Sequence, residues 1–574
     1  MFQEFLLIQF YLEIRKIALQ NAFEHEGKTQ DKIVLAKILG TKPEFRSKVK
    51  EIVGDIAEIV SAVNQISFEE QKKEIEGNFP EILIPKEKIE ERDGLPPLKG
   101  AEQGKVITRF PPEPNGYPHI GHAKAAIINA EYAKMYGGKF ILRMDDTNPE
   151  AERMEYHAAI KVGLDWLGIK FDIIKSTSDD MELFYKKGIE LIDSGKAYVC
   201  TCKRDDISNN RKERKACKCS RGDIKQNIQG WEKMFDKFKP GDAIVRFRGD
   251  MKADNAVMRD PVLFRIIDEK HYTLGNKYRV WPSYDFAVAI EDSNDGVTHA
   301  FRSKEFELRK ELIDAILDAL NMRKPYQDFF SRLEFKGMPI SKRILKPLIE
   351  EGKVSWYDDP RLPTLESLRR RGIKPEAIKK FILSLGLTKA NTLAPFDTLE
   401  SFNRKFVDAD SIRLFMVNKP KKLTIKKLPF SFVEIPNHPI RDMGKRKINL
   451  DENFYISGED AENIKEGTQI RLVGLGNVAV SKINGELEGE FIEDGDITDI
   501  QKIQWVPQKN AHIIKILIPK QLFIDDEFNE NSLEELEAYT EPHYLQLKDG
   551  EEIQFVRFGY CRKDSQNQAI FTHK

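Results

Sequence analysis

Residues 109–122 read RFPPEPNGYPHIGH, and four prolines, two glycines and two histidines share those fourteen positions. The proline and glycine punctuation follows a short apolar run, KVITRF, and precedes HAKAAIINAEYAKMY, whose apolar residues recur at helical spacing. A second apolar run, FILRM, then ends on Asp145 and Asp146. Strand, loop, helix and strand in that order predict a βαβ unit and hence a parallel sheet with ligand groups at its strand ends. A helix beginning near His119 offers unpaired backbone N–H groups and a positive dipole end to phosphate. His119 and His122 are three residues apart, so both imidazoles can face one ligand from the first turn. On spacing alone, a metal pair or an accident of the helix start fits the same residues.

Outward from this loop, 574 residues allow several domains. Hydrophobic residues make up 40% and charged residues 32%, and the mean hydropathy is −0.49, values of a globular protein with a charged surface. Glu4 interrupts the apolar start, and no run approaches the length of a membrane span, so a cytoplasmic chain with no membrane partner is expected. Net charge is −1, which favours no partner class. Two basic clusters stand out: Arg369, Arg370, Arg371, Lys374, Lys379 and Lys380, then Lys419, Lys421, Lys422, Lys426 and Lys427. Either can be a solvated face or a polyanion contact.

The patterning divides the chain into a helical region over residues 1–98, two α/β segments at 99–179 and 284–332, and an insertion at 180–283 between them. A mostly helical module follows at 333–425, then a β-rich tail at 426–574 with alternating runs such as IIKILIP. Within the insertion, Cys200, Cys202, Cys217 and Cys219 form C-x-C, a fourteen-residue gap and C-x-C. Paired thiolates at this spacing suit a tetrahedral structural zinc, with reduced thiols as the alternative. Bridging residues two apart is strained, which argues against disulfides.

HIGH, in this strand-loop-helix setting, resembles the ATP signature of class I aminoacyl-tRNA synthetases, and MPISKRIL at 338–345 resembles their KMSKS-type loop. Ile340 stands where methionine is usual, and Pro118 where leucine is usual. LRMDDTNPE, MRDPVLFRI and WPSYDFAVAIEDSNDGVTHAFRSKEF narrow the likeness to the glutamyl/glutaminyl branch, from about residue 100 onward. The resemblance implies an α/β, Rossmann-like class I catalytic domain with an acceptor-end insertion, a helical stem-contact module, C-terminal anticodon-binding β-barrels and an N-terminal helical appendage of the archaeal type. It further implies His119, His122 and Lys342 as catalytic groups. Pro112, Pro114, Asn115, Gly116, Ile120, Gly121, Ser341 and Arg343 would join them around Mg-ATP, and Arg109, Asp145, Tyr284 and Arg302 would surround the amino acid. Arg302 stands where glutamyl enzymes carry arginine and bacterial glutaminyl enzymes a small uncharged residue. A guanidinium offers only donors, so glutamate is the expected substrate and a glutaminyl enzyme the runner-up. The implied partners are ATP, L-glutamate, tRNA(Glu) and, by the archaeal likeness, tRNA(Gln), acting on a monomer. A catalytically silent tRNA-binding scaffold is the rival from another class.

Overall fold

The computed structural model describes residues 2–24, 27–41, 49–79, 95–390, 392–483, 486–493 and 500–574. The chain forms two compact units, residues 1–92 and 93–574. The first holds helices α1 (Phe2–Glu24), α2 (Asp31–Thr41), α3 (Val49–Gln65) and α4 (Phe68–Asn78). Their core gathers Ile14, Ala18, Val34, Ile56, Ile59 and Ile75. Ser67 caps α4 in a reciprocal capping box with Glu70. The part of the expected helical appendage at 80–94 lies outside the described residues.

The second unit starts with β1 (Ile107–Phe110), α5 (Ile120–Met135), β2 (Lys139–Met144), α6 (Met154–Trp166) and β3 (Ile173–Ser176). β1 pairs parallel with β2, and β2 with β3. The insertion follows: α7 (Met181–Asp193), β4 (Ala197–Cys200), α8 (Arg204–Lys212), α9 (Ile224–Asp236), β5 (Ile244–Phe247), β6 (Val262–Ile266) and β7 (Val280–Pro282). Its strands make an antiparallel sheet in sequence order. The chain then returns through α10 (Tyr284–Asn294), β8 (His299–Ser303), α11 (Lys310–Ala319) and β9 (Tyr326–Phe330). β8 pairs parallel with β9, and the Thr298 N–H donates to Ile107 O at 2.9 Å. The resulting order, β3-β2-β1-β8-β9, reverses direction between β1 and β8. Ligands of doubly wound sheets bind in the crevice at such a switch point, beyond the carboxyl ends of the strands. One apolar core runs from Phe184, Trp231 and Phe264 of the insertion to Phe286 and Leu312 of α10 and α11, so the insertion and the second catalytic segment are packed as one body.

Beyond β10 (Leu333–Phe335) come α12 (Lys342–Glu350), α13 (Leu365–Arg371), α14 (Pro375–Leu385), β11 (Thr392–Ala394) and α15 (Phe396–Val407). Two seven-stranded, barrel-like sheets complete the chain. Their strands begin at Ile412–Leu414, Met416–Asn418 and Lys421–Lys426, earlier than the expected start at 426. Leu423 and Ile425 are buried while Lys422 and Lys426 are exposed, a period-two alternation hidden by the lysine density, whereas Leu414, Phe415, Met416 and Val417 are all buried.

Much of the first basic cluster is spent on ion pairs within the molecule. Arg370 pairs with Asp358 and Asp564, Arg371 with Glu400, Lys374 with Glu552 and Lys379 with Glu131. Lys426 and Lys427 pair with Glu488 and Glu490. The first cluster thus binds α13 and α14 to their neighbours, a role that its charge density alone conceals.

Candidate active site

A cavity of about 510 Å³ opens at the β1/β8 switch point, within the size range of small-ligand sites. His119, Gly121, His122, Asp145, Tyr284, Arg302 and Ile340 all line it.

The two histidines are fixed by their own helix start. His119 caps α5, its Nδ1 accepting from the Gly121 N–H at 3.1 Å, while His122 Nδ1 accepts from the His119 N–H at 3.2 Å. Their ring centroids lie 4.0 Å apart. An Nδ1 that accepts leaves the proton on Nε2, so each ring presents an Nε2–H donor. Burial lowers the pKa of His122 to about 4 and, with the neighbouring His122, holds His119 well below its ordinary value. Both are neutral donors at pH 7. A Cβ on Gly121 would stand 2.9 Å from His119 Cε1, so the glycine is required by the folded-back imidazole itself.

The loop before them contributes unevenly. Pro112 lines the cavity and its carbonyl accepts from the Asp145 N–H at 2.9 Å, joining β1 to β2. Pro114 O accepts from the Arg153 N–H, and Asn115 O accepts from Lys342 Nζ at 2.5 Å. Pro114, Asn115 and Gly116 stand outside the wall. So do Ser341, Lys342 and Arg343 at the start of α12. Lys342 Nζ lies 5.1 Å from the Tyr156 ring centroid, held by that ring and the Asn115 carbonyl at the rim.

The charged end of the cavity is built around an acid inside the 281–306 stretch to which the motifs assign no role. Asp292, on α10, is fully buried and accepts from Arg109 Nε at 2.9 Å and Nη2 at 3.2 Å, from Arg143 Nη2 at 2.7 Å and from Arg302 Nη2 at 2.6 Å. These guanidiniums hold its carboxyl well below the usual carboxylate range despite burial. Arg109 Nη1 donates to Phe301 O, and Arg109 does not reach the cavity wall. Its Nε, Nη1 and Nη2 each donate one N–H to Asp292 or to the β8 backbone. Arg302 does line the cavity, with Nη1 on Gln327 Oε1 at 2.8 Å. Its Nε is buried without a hydrogen-bond partner among the described residues.

Asp145 lies opposite in charge. Burial, foremost, pushes its carboxyl up to about 7. Asp146 is instead fully engaged, accepting from Ser178 N–H and Oγ and from the Tyr272 hydroxyl. Tyr284 opens α10 at the wall, its ring 5.2 Å from Phe306 and under the Arg309 guanidinium at 5.7 Å. Asp292 and Arg143 lie inside motif stretches and Lys124 just after HIGH, yet the motifs assign them no role, and Gln327 lies outside every motif; the charge cluster in AIEDSN signals Asp292 alone.

In the insertion, the sulfurs of Cys200, Cys202, Cys217 and Cys219 all lie within 4.8 Å of one another. Cys200–Cys217 are 3.8 Å apart and Cys202–Cys219 3.7 Å. A tetrahedron with Zn–S bonds of about 2.3 Å has edges of about 3.8 Å, so the cluster is compatible with a zinc site.

A nucleotide cradle at the head of a parallel sheet, with a donor-rich and a carboxylate end in one cavity, is the equipment of a class I aminoacyl-tRNA synthetase. The family described as tRNA synthetases class I (E and Q), catalytic domain, matches residues 105–409, and the chain belongs to it. Anticodon-binding domains of the same family match 411–500 and 502–564, the barrel-like sheets. A glutamate-tRNA ligase of Nitrosopumilus maritimus is 81% identical over 98% of this chain and 99% of its own. Those of Cenarchaeum symbiosum and Pyrococcus furiosus are 58% and 40% identical, each over 98% of this chain and at least 99% of theirs. Among the described residues, no helix is long and apolar enough to cross a membrane.

Proposed function

We propose that the protein is a glutamate-tRNA ligase that makes glutamyl-adenylate from L-glutamate and Mg-ATP and passes the glutamyl group to the terminal adenosine of tRNA(Glu). The observation that carries this reading is the pair of unmatched groups in the cavity. Arg302 offers an unpartnered Nε, and it shares the Asp292 carboxylate with Arg109 and with Arg143, which also pairs with Asp295. Asp145 supplies a buried carboxyl whose proton affinity an ammonium would lower. A γ-carboxylate and an α-ammonium complete both. An amide would present its N–H₂ or a weaker, uncharged acceptor to a guanidinium.

In the first step an α-carboxylate oxygen attacks the α-phosphorus, the bond to the bridging oxygen breaks, and pyrophosphate leaves. His119 and His122 donate their Nε2–H groups to oxygens on which negative charge builds. Lys342 leaves its seat on Asn115 O to neutralise the charge of the departing pyrophosphate. In the second step the 2′-hydroxyl of the terminal adenosine attacks the glutamyl carbonyl, and AMP departs. The four cysteines would hold a structural zinc, tying the segment of Cys217 and Cys219 after α8 to the end of β4. The insertion receives the acceptor end, and the barrels receive the anticodon.

Aminoacylation of separate tRNA(Glu) and tRNA(Gln) transcripts with each amino acid tests the proposal. Glutamate should be attached to tRNA(Glu), and glutamate on tRNA(Gln) would mark a non-discriminating enzyme. Charging with glutamine alone, or no charging, would overturn it.

A further inference from the structure

Position 124 of α5 belongs to the buried face of that helix, among Ile120, Ala123, Ile127 and Ile128, where a methionine or leucine would fill the space without charge. The residue is lysine, 1% exposed. Its Nζ donates to Ser331 O at 2.7 Å and to Ser331 Oγ at 2.9 Å, and lies 5.7 Å from the Phe330 ring centroid. Burial brings its pKa down to about 8, with no carboxylate contributing to the balance. An ammonium buried without a counter-charge is costly, and replacing such a group by an apolar one is often neutral or stabilising. Its retention at the cavity wall points to a function other than stability.

The partner shows which function. Ser331 follows β9, and its neighbours Phe330, Arg332 and Leu333 form the cavity wall across from α5. Arg332 stands close enough to His119 to lower that imidazole's proton affinity. The Ser331 N–H is tied away from α5, to Thr388 O at 2.6 Å. Lys124 is two residues beyond His122 on the same helix. Its two hydrogen bonds therefore join the helix that carries both imidazoles to the strand end that carries Arg332.

We propose that Lys124 is a positioning residue of the nucleotide cavity, its ammonium clamping the Ser331 carbonyl and hydroxyl so that the histidine-bearing helix and the Phe330–Leu333 wall keep the separation Mg-ATP requires. The clamp rests on the ligase reading only in its choice of ATP as occupant. It touches neither the amino acid nor the reacting atoms.

The test pairs calorimetric titration of the full chain with Mg-ATP and steady-state charging kinetics. Lys124→Met removes the donors at nearly constant volume. It should weaken Mg-ATP binding and raise KM for ATP by about tenfold, with kcat at saturating ATP within about twofold and KM for glutamate unchanged. Lys124→Arg, which keeps charge and donors, should recover most of that loss. Unchanged ATP affinity would overturn the proposal, as would a joint fall of kcat and every affinity that arginine fails to rescue. If Lys124→Met does not fold, Ser331→Ala decides: it should cost about threefold in ATP affinity at constant kcat, and no cost would overturn the clamp. Wild-type protein that binds Mg-ATP but charges no tRNA would sink the ligase reading while leaving the titration of Lys124 valid.

Discussion

Arg302 Nη2 and Asp292 Oδ2 lie 2.6 Å apart with both side chains shielded from water, so the guanidinium on the cavity wall is held by an anion that lies behind the wall. Replacing Arg302 by Leu removes the orphan Nε and one of Asp292's partners together. The kcat/KM for glutamate should drop by about 10³-fold or more, in line with pockets that lose a buried hydrogen-bonding group. Pyrophosphate exchange in the presence of tRNA measures it. A loss under about tenfold would mean that Arg302 does not contact the substrate.

Asp145 carries a pH signature. Its folded-state pKa, about 7, is above its unfolded value, so the folded protein binds the extra proton and loses stability as pH rises through that window. Asp145→Asn should therefore raise Tm at pH 8 and leave it nearly unchanged at pH 4. An ammonium selects the ionised carboxylate, so KM for glutamate should fall as wild-type pH rises toward and past 7. In Asp145→Asn, KM should be raised about 100-fold and the dependence on this group lost. A wild-type KM flat between pH 6 and 8 would contradict the assignment.

Metal analysis of protein purified without added zinc should return one zinc per chain, and chelation or Cys217→Ser should lower Tm and expose the insertion to protease. The shared core with α10 predicts that charging falls with it. Metal-free protein of undiminished Tm would leave the four sulfurs as ordinary thiols.

Arg370 donates to both Asp564 oxygens, at 3.0 and 2.8 Å, across 194 positions of sequence. Arg370→Ala should thus lower Tm, and the slope of log affinity for tRNA against log salt should stay as it was. A residue on phosphate would reduce that slope by about one.

Local chemistry was legible in the sequence because it is written within a few residues. The proline-rich loop, the imidazole pair and the C-x-C pairs owe their geometry to neighbours in the chain, and the histidine cap follows from their spacing. What escaped depends on distant partners. Asp292 meets Arg109 across 183 positions and Lys124 meets Ser331 across 207. Nothing adjacent to Arg109 in sequence shows that it would donate to Asp292. The arginines of α13 looked like a polyanion surface for the same reason, their acids lying in α15 and the last sheet.

The account stands or falls on whether a shared guanidinium pocket selects an acid over its amide. Its most direct measurement is the ratio of kcat/KM for glutamate to that for glutamine in charging tRNA(Glu) by the wild-type protein. A ratio of about 10³ or more is expected from a pocket whose donor is left unpaired by the wrong ligand. A ratio near one, or in favour of glutamine, would contradict it.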